Sequence, residues 1–279
     1  MDAQSVIRVD GPSSAGINLY GNALDNYIWG NNYGNWISGG AGNDTLYGGD
    51  GEDTLDGGEG INILAGGKGS DTYIIHSNSD IIYELPNDYA IDQIITYVSI
   101  DLDLYPGIEY ARIAYGAQNV VISSSTGNIY GGSDNNDQLI GSAGNDTFLS
   151  SAGNDILTGG LGADTFIWSI ADKGPNGKPA LDKITDYNSE EDKLDFRDLL
   201  IGESSENILN YLNITTSIAE GVTNTEIRIS NTGGFTGGNY SAAVENQHIT
   251  LAGVNLLAGT NEADLVANLI SQNKLVIDA

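Results

Sequence analysis

The chain is poor in several residue types, and each shortage excludes a class of protein. There is no cysteine among its 279 residues, so the fold does not depend on disulfide bonds. Only 10 residues are lysine or arginine, against 38 aspartates and glutamates, which gives a formal net charge of -28. A field of this sign repels nucleic acid and anionic membrane surfaces, so we expect neither as a partner.

Long apolar runs are also missing. No stretch is apolar for long enough to cross a membrane, so we expect no membrane span. The first thirty residues lack the basic and apolar segments of a cleaved signal peptide, and export through such a leader is not expected. Hydrophobic residues nevertheless make up 40% of the chain and 15 residues are tyrosine, so we expect a folded core.

Common signatures of enzyme chemistry are absent from the sequence. Neither His76 nor His248 lies in an H-E-x-x-H motif, no serine lies in G-x-S-x-G, and there is no Walker A sequence. We expect no enzymatic activity, with a glycosidase pair of carboxylates as the class that composition leaves open.

Glycine is abundant, with 38 residues, and much of it recurs with a period of nine. A first array of nonapeptides contains GGAGNDTLY at 39–47, GGDGEDTLD at 48–56, GGEGINILA at 57–65 and GGKGSDTYI at 66–74. Degraded copies precede it at 21–29 and 30–38. A second array covers SSSTGNIYG, GSDNNDQLI, GSAGNDTFL, SSAGNDILT and GGLGADTFI at 123–167.

The spacing within each nonapeptide suits a metal that binds oxygen. Glycines at positions one, two and four allow a tight turn that directs carbonyl oxygens toward one point. Aspartate at position six adds a carboxylate there, and calcium takes six to eight such hard oxygen ligands. Position eight is apolar (Leu46, Leu55, Leu64, Tyr73), which predicts a short strand with an inward side chain.

This pattern, G-G-x-G-x-D-x-U-x, resembles the calcium-binding nonapeptide of the RTX family. In that family two nonapeptides form one turn of a parallel β-roll, and calcium lies between turns stacked on the same edge. The resemblance implies a mainly all-β fold: a calcium-bound parallel β-roll in two arrays, with a small C-terminal β-rich cap that contains a short helix. It implies several Ca²⁺ ions.

The resemblance also implies the metal ligands. At position six these are Asp44, Asp53, Asp71, Asp137, Asp146, Asp155 and Asp164, with Asn26, Asn35, Asn62 and Asn128 at weaker sites. At positions one, three and four they are Gly39, Ala41, Gly42, Gly48, Asp50, Gly51, Gly57, Glu59, Gly66, Lys68, Gly69, Gly141, Ala143, Gly144, Ala152, Gly153, Gly159, Leu161 and Gly162.

Residues at position six that share an edge are eighteen apart, which pairs Asp53 with Asp71, Asp137 with Asp155 and Asp146 with Asp164. Turns of a β-roll stack about 4.8 Å apart. Two facing carboxylates at that distance repel by roughly 3 kcal/mol at an effective dielectric near 20. We therefore expect the arrays not to close without calcium.

The remaining segments are assigned by pattern. We divide the chain into a leading strand and cap (1–20), the first array (21–74), a strand-rich spacer (75–122), the second array (123–168), and a C-terminal cap and secretion-signal region (169–279). Asn261 precedes EADLVANLIS and predicts an N-capped helix. In the acidic stretch at 182–200, one further cation site and a solvated loop remain open for Asp182, Asp186, Asp192 and Asp195.

Two functions compete. The C-terminal region resembles that of type I secretion substrates, especially large RTX adhesins. That resemblance implies a calcium-dependent folding and type I secretion module of a larger protein that is secreted, extracellular or at the cell surface. Its partners are then the exporter and the upstream domains. The alternative is a surface- or carbohydrate-binding module that uses outward aromatic residues (Tyr27, Trp29, Trp36, Tyr47), which otherwise dock a neighbouring domain or cap the first coil.

Overall fold

The computed structural model describes residues 4–8, 15–84, 90–117 and 120–278. It forms two compact units, Met1–Ile122 and Ser123–Ala279. The predicted class is confirmed: the fold is mainly β, a parallel β-roll, and among the described residues only one short α-helix occurs. No helix in the described part of the chain is both long enough and apolar enough to span a membrane.

The first unit consists of short strands joined by tight turns. They are β1 (Gln4–Arg8), β2 (Asn18–Asn22), β3 (Asp25–Trp29), β4 (Trp36–Gly40), β5 (Thr45–Asp50), β6 (Thr54–Asp56), β7 (Ile63–Lys68), β8 (Thr72–Ile75), β9 (Ile81–Ile82), β10 (Gln93–Thr96), β11 (Ile100–Asp101) and β12 (Tyr110–Ile113). A 3-10 helix spans Leu102–Leu104, and β13 (Val121–Ser123) crosses the boundary between the units.

Successive strands from β1 to β10 alternate between two parallel sheets. One has the order β1-β3-β5-β7-β9, and the other contains β2-β4-β6-β8-β10-β12. Strands of the repeats pair with a shift of eighteen residues, as Ile28 does with Leu46 and Leu46 with Leu64. Each nonapeptide thus supplies one strand, and two nonapeptides complete a turn.

The side chain at position eight fills the interior of each turn. Leu46, Leu55, Leu64 and Tyr73 are fully buried. The burial pattern alternates along each strand, because neighbouring side chains point to opposite faces of a sheet. The 3-residue core of a nonapeptide strand therefore places one apolar side chain inward and two outward.

The second unit continues with short strands and ends in longer ones. They are β14 (Ile129–Gly131), β15 (Gln138–Ile140), β16 (Thr147–Leu149), β17 (Ile156–Thr158), β18 (Thr165–Ile167), β19 (Ala180–Ile184), β20 (Lys193–Asp195), β21 (Leu212–Ala219), β22 (Val222–Ile229), β23 (Gln247–Leu251) and β24 (Leu275–Val276). The helix α1 spans Glu262–Ser271, and 3-10 helices span Ile208–Asn210 and Thr236–Gly238.

Aromatic side chains fill one interior row of the second unit. Tyr130, Phe148 and Phe166 are fully buried on β14, β16 and β18, which are parallel neighbours. Their rings stack at centroid distances of 5.1 and 5.0 Å. Offset-stacked rings add to the stabilisation from burial, so these ring contacts help to stabilise the second unit.

The last strands turn the parallel sheet into an antiparallel meander. β23 pairs in parallel with β19, while β22 is antiparallel to both β23 and β21. The β21–β22 hairpin turns at Glu220 and Gly221, whose φ values are 53° and 81°. Positive φ at both central residues is the geometry of a type I′ turn, one of the two common turns of two-residue hairpins.

The helix α1 and strand β24 close this end of the second unit. The Asn261 side chain accepts a hydrogen bond from the backbone N–H of Asp264 at 3.0 Å, which caps the helix as its sequence predicts. Leu265, Val266 and Leu269 are buried. β24 adds to β20 by parallel pairing. The cap is thus β-rich with one short helix, whereas the division into five segments stays a prediction.

Candidate metal centre

Side chains at position six stack along each edge of the roll. In the first unit one ladder runs through Asn26, Asp44 and Asn62, and the other through Asn35, Asp53 and Asp71. In every step the backbone N–H of one residue donates to the side-chain Oδ1 of the residue eighteen positions later, at 2.7 to 2.9 Å. The second unit repeats this pattern from Asn128 to Asp146 to Asp164 and from Asp137 to Asp155.

Each ladder continues past its last nonapeptide through a further aspartate, of which only Asp182 and Asp192 are named as possible cation ligands in the sequence analysis. These aspartates are Asp80 after Asn62, Asp92 after Asp71, Asp182 after Asp155 and Asp192 after Asp164. Asp80 has a detectable signal, because it stands at position six if the nine-residue register is continued. The other three are 21, 27 and 28 residues from their partners, so a fixed period does not find them.

Among the described residues, four aspartates of these ladders keep one carboxylate oxygen without a hydrogen-bond partner. The oxygen is Oδ2, and the residues are Asp44, Asp53, Asp71 and Asp164. All four side chains are at most 1% exposed. A buried carboxylate oxygen without a donor or a cation lowers the stability of the fold. These four oxygens are therefore candidate ligands of a cation.

Glycine at position one leaves space in front of each of these oxygens without a partner, which we call orphaned oxygens. A Cβ added to Gly48 would collide with Asp53 Oδ2 and would lie 2.6 Å from the carbonyl oxygen of Gly66. A Cβ added to Gly39 would collide with Asp44 Oδ2 and would lie 2.7 Å from the carbonyl oxygen of Gly57. A carboxylate oxygen and the position-one carbonyl of the next turn therefore converge on one point.

Glycine at positions two and four has a different role, which is conformational. Gly67 and Gly69 have φ values of 113° and 117°, in the region that side chains with a Cβ rarely adopt. A Cβ at Gly67 would also collide with the carbonyl oxygen of Gly49 in the preceding turn. Glycine at these positions therefore allows both the positive φ and the close packing of successive turns.

Three nonapeptides of the second array combine serine at position two with aspartate at position six, and in these the serine donates to the aspartate. The backbone N–H and hydroxyl of Ser142 donate to Asp146 Oδ2 at 2.7 and 2.9 Å. Ser133 donates to Asp137 Oδ2 in the same way, and the Ser151 hydroxyl donates to Asp155 Oδ2 at 2.9 Å. Among the described repeats, the carboxylate oxygen without a partner occurs where position two is glycine.

Asparagine at position six also changes the site. The side-chain amide of Asn35 donates to Asp53 Oδ1 at 2.8 Å, and that of Asn26 donates to Asp44 Oδ1 at 3.1 Å. An amide facing a carboxylate is attractive, whereas two carboxylates repel each other. The step from Asp53 to Asp71 is the position-six step of the first unit in which both residues are acidic.

Burial dominates the electrostatics of these carboxylates. It raises the pKa of Asp71 to about 8, and repulsion from Asp53, Glu84 and Asp92 contributes in the same direction. The pKa of Asp155 also rises to about 8, through burial and then through repulsion from Asp182. Burial likewise raises the pKa of Asp164 to about 6. These three carboxylates thus resist ionisation in the absence of a cation.

The four acidic residues named from the stretch at 182–200 have different hydrogen-bond and ion-pair partners. Asp182 extends the ladder of Asp155, and Asp192 extends that of Asp164. Asp186 accepts hydrogen bonds from the backbone N–H groups of Gly159 and Gly160. Asp195 is paired with Arg197. Asp182 and Asp192 thus extend the ladders, whereas Asp186 and Asp195 lie outside them, and cation binding by these residues stays a prediction.

The four outward aromatic residues do not all lie on the same sheet. Tyr27 and Trp29 lie on β3 and stack at 5.9 Å, and Tyr47 on β5 stacks on Trp29 at 5.4 Å with the rings 7° from parallel. Trp36 lies on β4, in the other sheet, because successive nonapeptides alternate between sheets. The aromatic platform therefore contains three of the four residues.

Comparison with known protein families agrees with this geometry. The model of the RTX calcium-binding nonapeptide repeat, which contains four copies, matches residues 20–55, 29–64, 47–82 and 130–166. The chain carries RTX calcium-binding repeats. No curated protein matches the chain.

Two solved structures show a limited similarity to the chain. The AlgE6R2 subunit of the Azotobacter vinelandii mannuronan C5-epimerase is 24% identical, with a TM-score of 0.33, over 58% of this chain and 94% of that one. The extracellular lipase LipA of Serratia marcescens is 18% identical, with a TM-score of 0.32. That match covers 96% of this chain, which spans 41% of the lipase.

The RTX repeats fit calcium on the residues present. Position-six carboxylates and position-one carbonyls would hold the ion, which would supply the positive charge that the orphaned oxygens lack. The position-three carbonyl of Lys68 accepts a hydrogen bond from the N–H of Gly51, so part of its capacity is already used. Binding by the individual residues named from sequence stays a prediction.

Proposed function

We propose that this chain is a calcium-dependent folding and type I secretion module at the C-terminal end of a larger exported RTX protein, with an adhesin as the class of that protein. It acts outside the cell or at its surface, and the exporter and upstream domains are its partners. In this proposal the chain has no catalytic role of its own.

The observation that carries the proposal is the set of buried carboxylate oxygens without partners in the RTX repeats. These oxygens are costly in a folded chain and harmless in a solvated, unfolded one. Calcium binding therefore adds directly to the free energy of folding. A chain of this kind stays unfolded where calcium is scarce, passes through an exporter, and folds on meeting extracellular calcium.

Circular dichroism through a calcium titration tests the proposal. We expect little β-structure in protein freed of metal and a cooperative gain of β-structure as calcium is added. Magnesium is expected to substitute poorly, because it requires a tight octahedron and gives up its waters reluctantly. Identical spectra with and without calcium would contradict calcium-dependent folding.

A carbohydrate-binding role is a second candidate, supported by the stacked platform of Tyr27, Trp29 and Tyr47. Flat, partly exposed aromatic faces in a row offer stacking surfaces for sugar rings. Trp29→Ala should then weaken retention of the protein in gels that contain soluble polysaccharide. Trp36→Ala is the matched control, because Trp36 lies on the other sheet. Equal retention of wild type and both variants would remove this candidate.

A further inference from the structure

The last nonapeptide of the first array ends in an acidic cluster that lies mostly outside the repeat. Asp71 is position six of that nonapeptide, whereas Glu84 and Asp92 belong to the chain that follows it. Each of the three offers a carboxylate oxygen, and these oxygens all lie within 4.8 Å of one another. Asp71 and Asp92 are buried and Glu84 is half-buried.

Each carboxylate is fixed through one of its oxygens. Asp71 Oδ1 accepts from the N–H of Asp53 at 2.8 Å, and Asp92 Oδ1 accepts from the N–H of Asp71 at 2.8 Å. The hydroxyl of Tyr73 donates to Glu84 Oε1. The positions of all three carboxylates are therefore set by the fold rather than by flexible side chains.

An independent observation points to a ligand in this cluster. Asp71 is 0% exposed, and its Oδ2 has no hydrogen-bond partner. A Cβ placed on Gly66 would collide with this oxygen and would lie 2.5 Å from the Tyr73 hydroxyl, the group that holds Glu84. The orphaned oxygen thus faces the side of Asp71 where Tyr73 and Glu84 meet.

Tyr73 shows how the sequence builds this arrangement. Position eight is leucine in the three preceding nonapeptides, and Tyr73 occupies the same fully buried position with a hydroxyl added. That hydroxyl accepts from the N–H of Gly66 at 2.8 Å, which orients its proton toward Glu84. A leucine at position 73 would leave Glu84 without this donor.

We propose that Asp71, Glu84 and Asp92 form a separate divalent-cation site, of calcium's class, that terminates the first array. The ligands are hard carboxylate oxygens from the last repeat and from the non-repeating chain. The ion links the two and takes the place of a further nonapeptide. This site extends the calcium-dependent folding proposed above, and it differs from a repeat site in that two of its three carboxylates lie outside any nonapeptide.

Equilibrium dialysis against saturating calcium, with bound calcium counted by atomic absorption, tests the site in the full chain. Wild type reports whether the chain binds calcium at all, and so tests the proposed function. Glu84→Gln is expected to bind one calcium ion fewer than wild type. The control Glu52→Gln alters an exposed carboxylate of the same unit, and its ion count should equal that of wild type.

The double variant separates this ion from those of the repeats. Asp53→Asn leaves the three carboxylates of the cluster in place, and we expect it to lose a repeat ion. Asp53→Asn combined with Glu84→Gln should lose one ion more than Asp53→Asn alone. Equal losses in the double and the Asp53→Asn variant would mean that one ion serves both places, and would overturn the separate site.

Circular dichroism at saturating calcium shows whether Glu84→Gln folds. If it does not fold, Glu84→Asp keeps the carboxylate on a shorter side chain. That variant should keep the ion count of wild type with at least threefold weaker calcium affinity. An unchanged count in folded Glu84→Gln, or unchanged affinity in Glu84→Asp, would overturn the proposal and leave a carboxyl cluster that shares protons.

Discussion

At the residue scale, one position of the nonapeptide decides whether a carboxylate is satisfied by the protein or needs a cation. With glycine at position two, as in the repeat of Asp164, Oδ2 is orphaned. With serine there, as in the repeat of Asp146, the hydroxyl donates to that oxygen. A serine hydroxyl carries no full charge, so it neutralises the carboxylate less completely than calcium does. The second array thus combines two kinds of repeat.

Ser142→Ala tests this division. Removing the hydroxyl takes one donor from a buried carboxylate, which costs about 1–3 kcal/mol of the free energy of unfolding. The loss should be largest at limiting calcium and should shrink at saturating calcium, because the ion can then stabilise the same oxygen. Urea unfolding at the two calcium concentrations measures it.

The control for this prediction is Ser271→Ala, in the same unit. Its exposed hydroxyl donates to the carbonyl of Asn268, and its removal should change stability by less than about 0.5 kcal/mol. A loss in Ser142→Ala that matches the control, or that is independent of calcium, would contradict the role assigned to the serine.

The raised pKa values of Asp71 and Asp155 predict how pH acts on the metal-free chain. Each group has a folded pKa of about 8 against an ordinary pKa of 3.8, so the folded state binds more protons than the unfolded state between these values. Stability therefore falls as pH rises from about 4 to about 8. Calcium affinity should rise over the same window, because the ligands must be deprotonated.

Circular dichroism of protein freed of metal on a chelating resin, at pH 5, 7 and 9, checks this prediction. Residual β-structure should be greatest at pH 5 and least at pH 9. A parallel titration should give a lower calcium midpoint at pH 9 than at pH 5. β-structure that increases with pH in the absence of metal would show that the carboxylates are not the groups opposing closure.

At the element scale, the turn between two strands is set by backbone geometry as much as by metal ligands. Gly67 combines a φ of 113° with a backbone neighbour that a Cβ would strike. Gly116 has a φ of 81° and no heavy atom within 4 Å of an added Cβ. The two positions therefore separate conformational strain from the packing of one turn on another.

Gly67→Ala should lower the free energy of unfolding at saturating calcium by at least about 3 kcal/mol, since strain and a backbone collision act together. Gly116→Ala should cost only about 1–2 kcal/mol, through its positive φ alone. Thermal or urea unfolding of the two variants gives the comparison. Equal losses would mean that the turns can separate to admit a side chain.

The parts of this fold that the sequence predicts are those that repeat. A period of nine with an inward residue at position eight is enough to place Leu46, Leu55 and Leu64 in the core and to pair position-six residues eighteen apart. Asp92 and Asp182 escape that reasoning, because loops of irregular length separate them from their partners in the ladders. The hydrogen bonds of side-chain hydroxyls are not predicted either, since a periodic pattern gives the residue type and not the direction in which its hydroxyl points.

At the scale of the whole molecule, the excess of 38 acidic over 10 basic residues opposes compaction, and calcium offsets that repulsion only in the folded state. Ligands that bind the folded state alone stabilise it by mass action. The same chain is therefore suited to be unfolded at low calcium and folded at high calcium. In this proposal the cap acts as a secretion signal in the unfolded chain at low calcium and as part of the folded structure at high calcium.

Deletion of residues 261–279 tests the secretion role. If this segment carries the signal, the truncated chain should not be released from cells that supply a matching type I exporter, while its RTX repeats still bind calcium. The deletion also removes structure, because Leu275 on β24 pairs with Leu194 on β20 and both are buried. Loss of release alone therefore does not separate a signal from a structural cap.

Leu194→Asp distinguishes a secretion signal from a structural cap, because it disrupts the docking of β24 and leaves residues 261–279 unchanged. A signal read from the unfolded chain predicts that Leu194→Asp is released and folds poorly in calcium, whereas the deletion stays in the cells. A purely structural cap predicts that both variants are released and both fold poorly. Immunoblots of medium and cell fractions, with calcium binding of the purified proteins, distinguish the two. Release of the truncated chain would remove the secretion role and leave the carbohydrate-binding platform as the stronger candidate function.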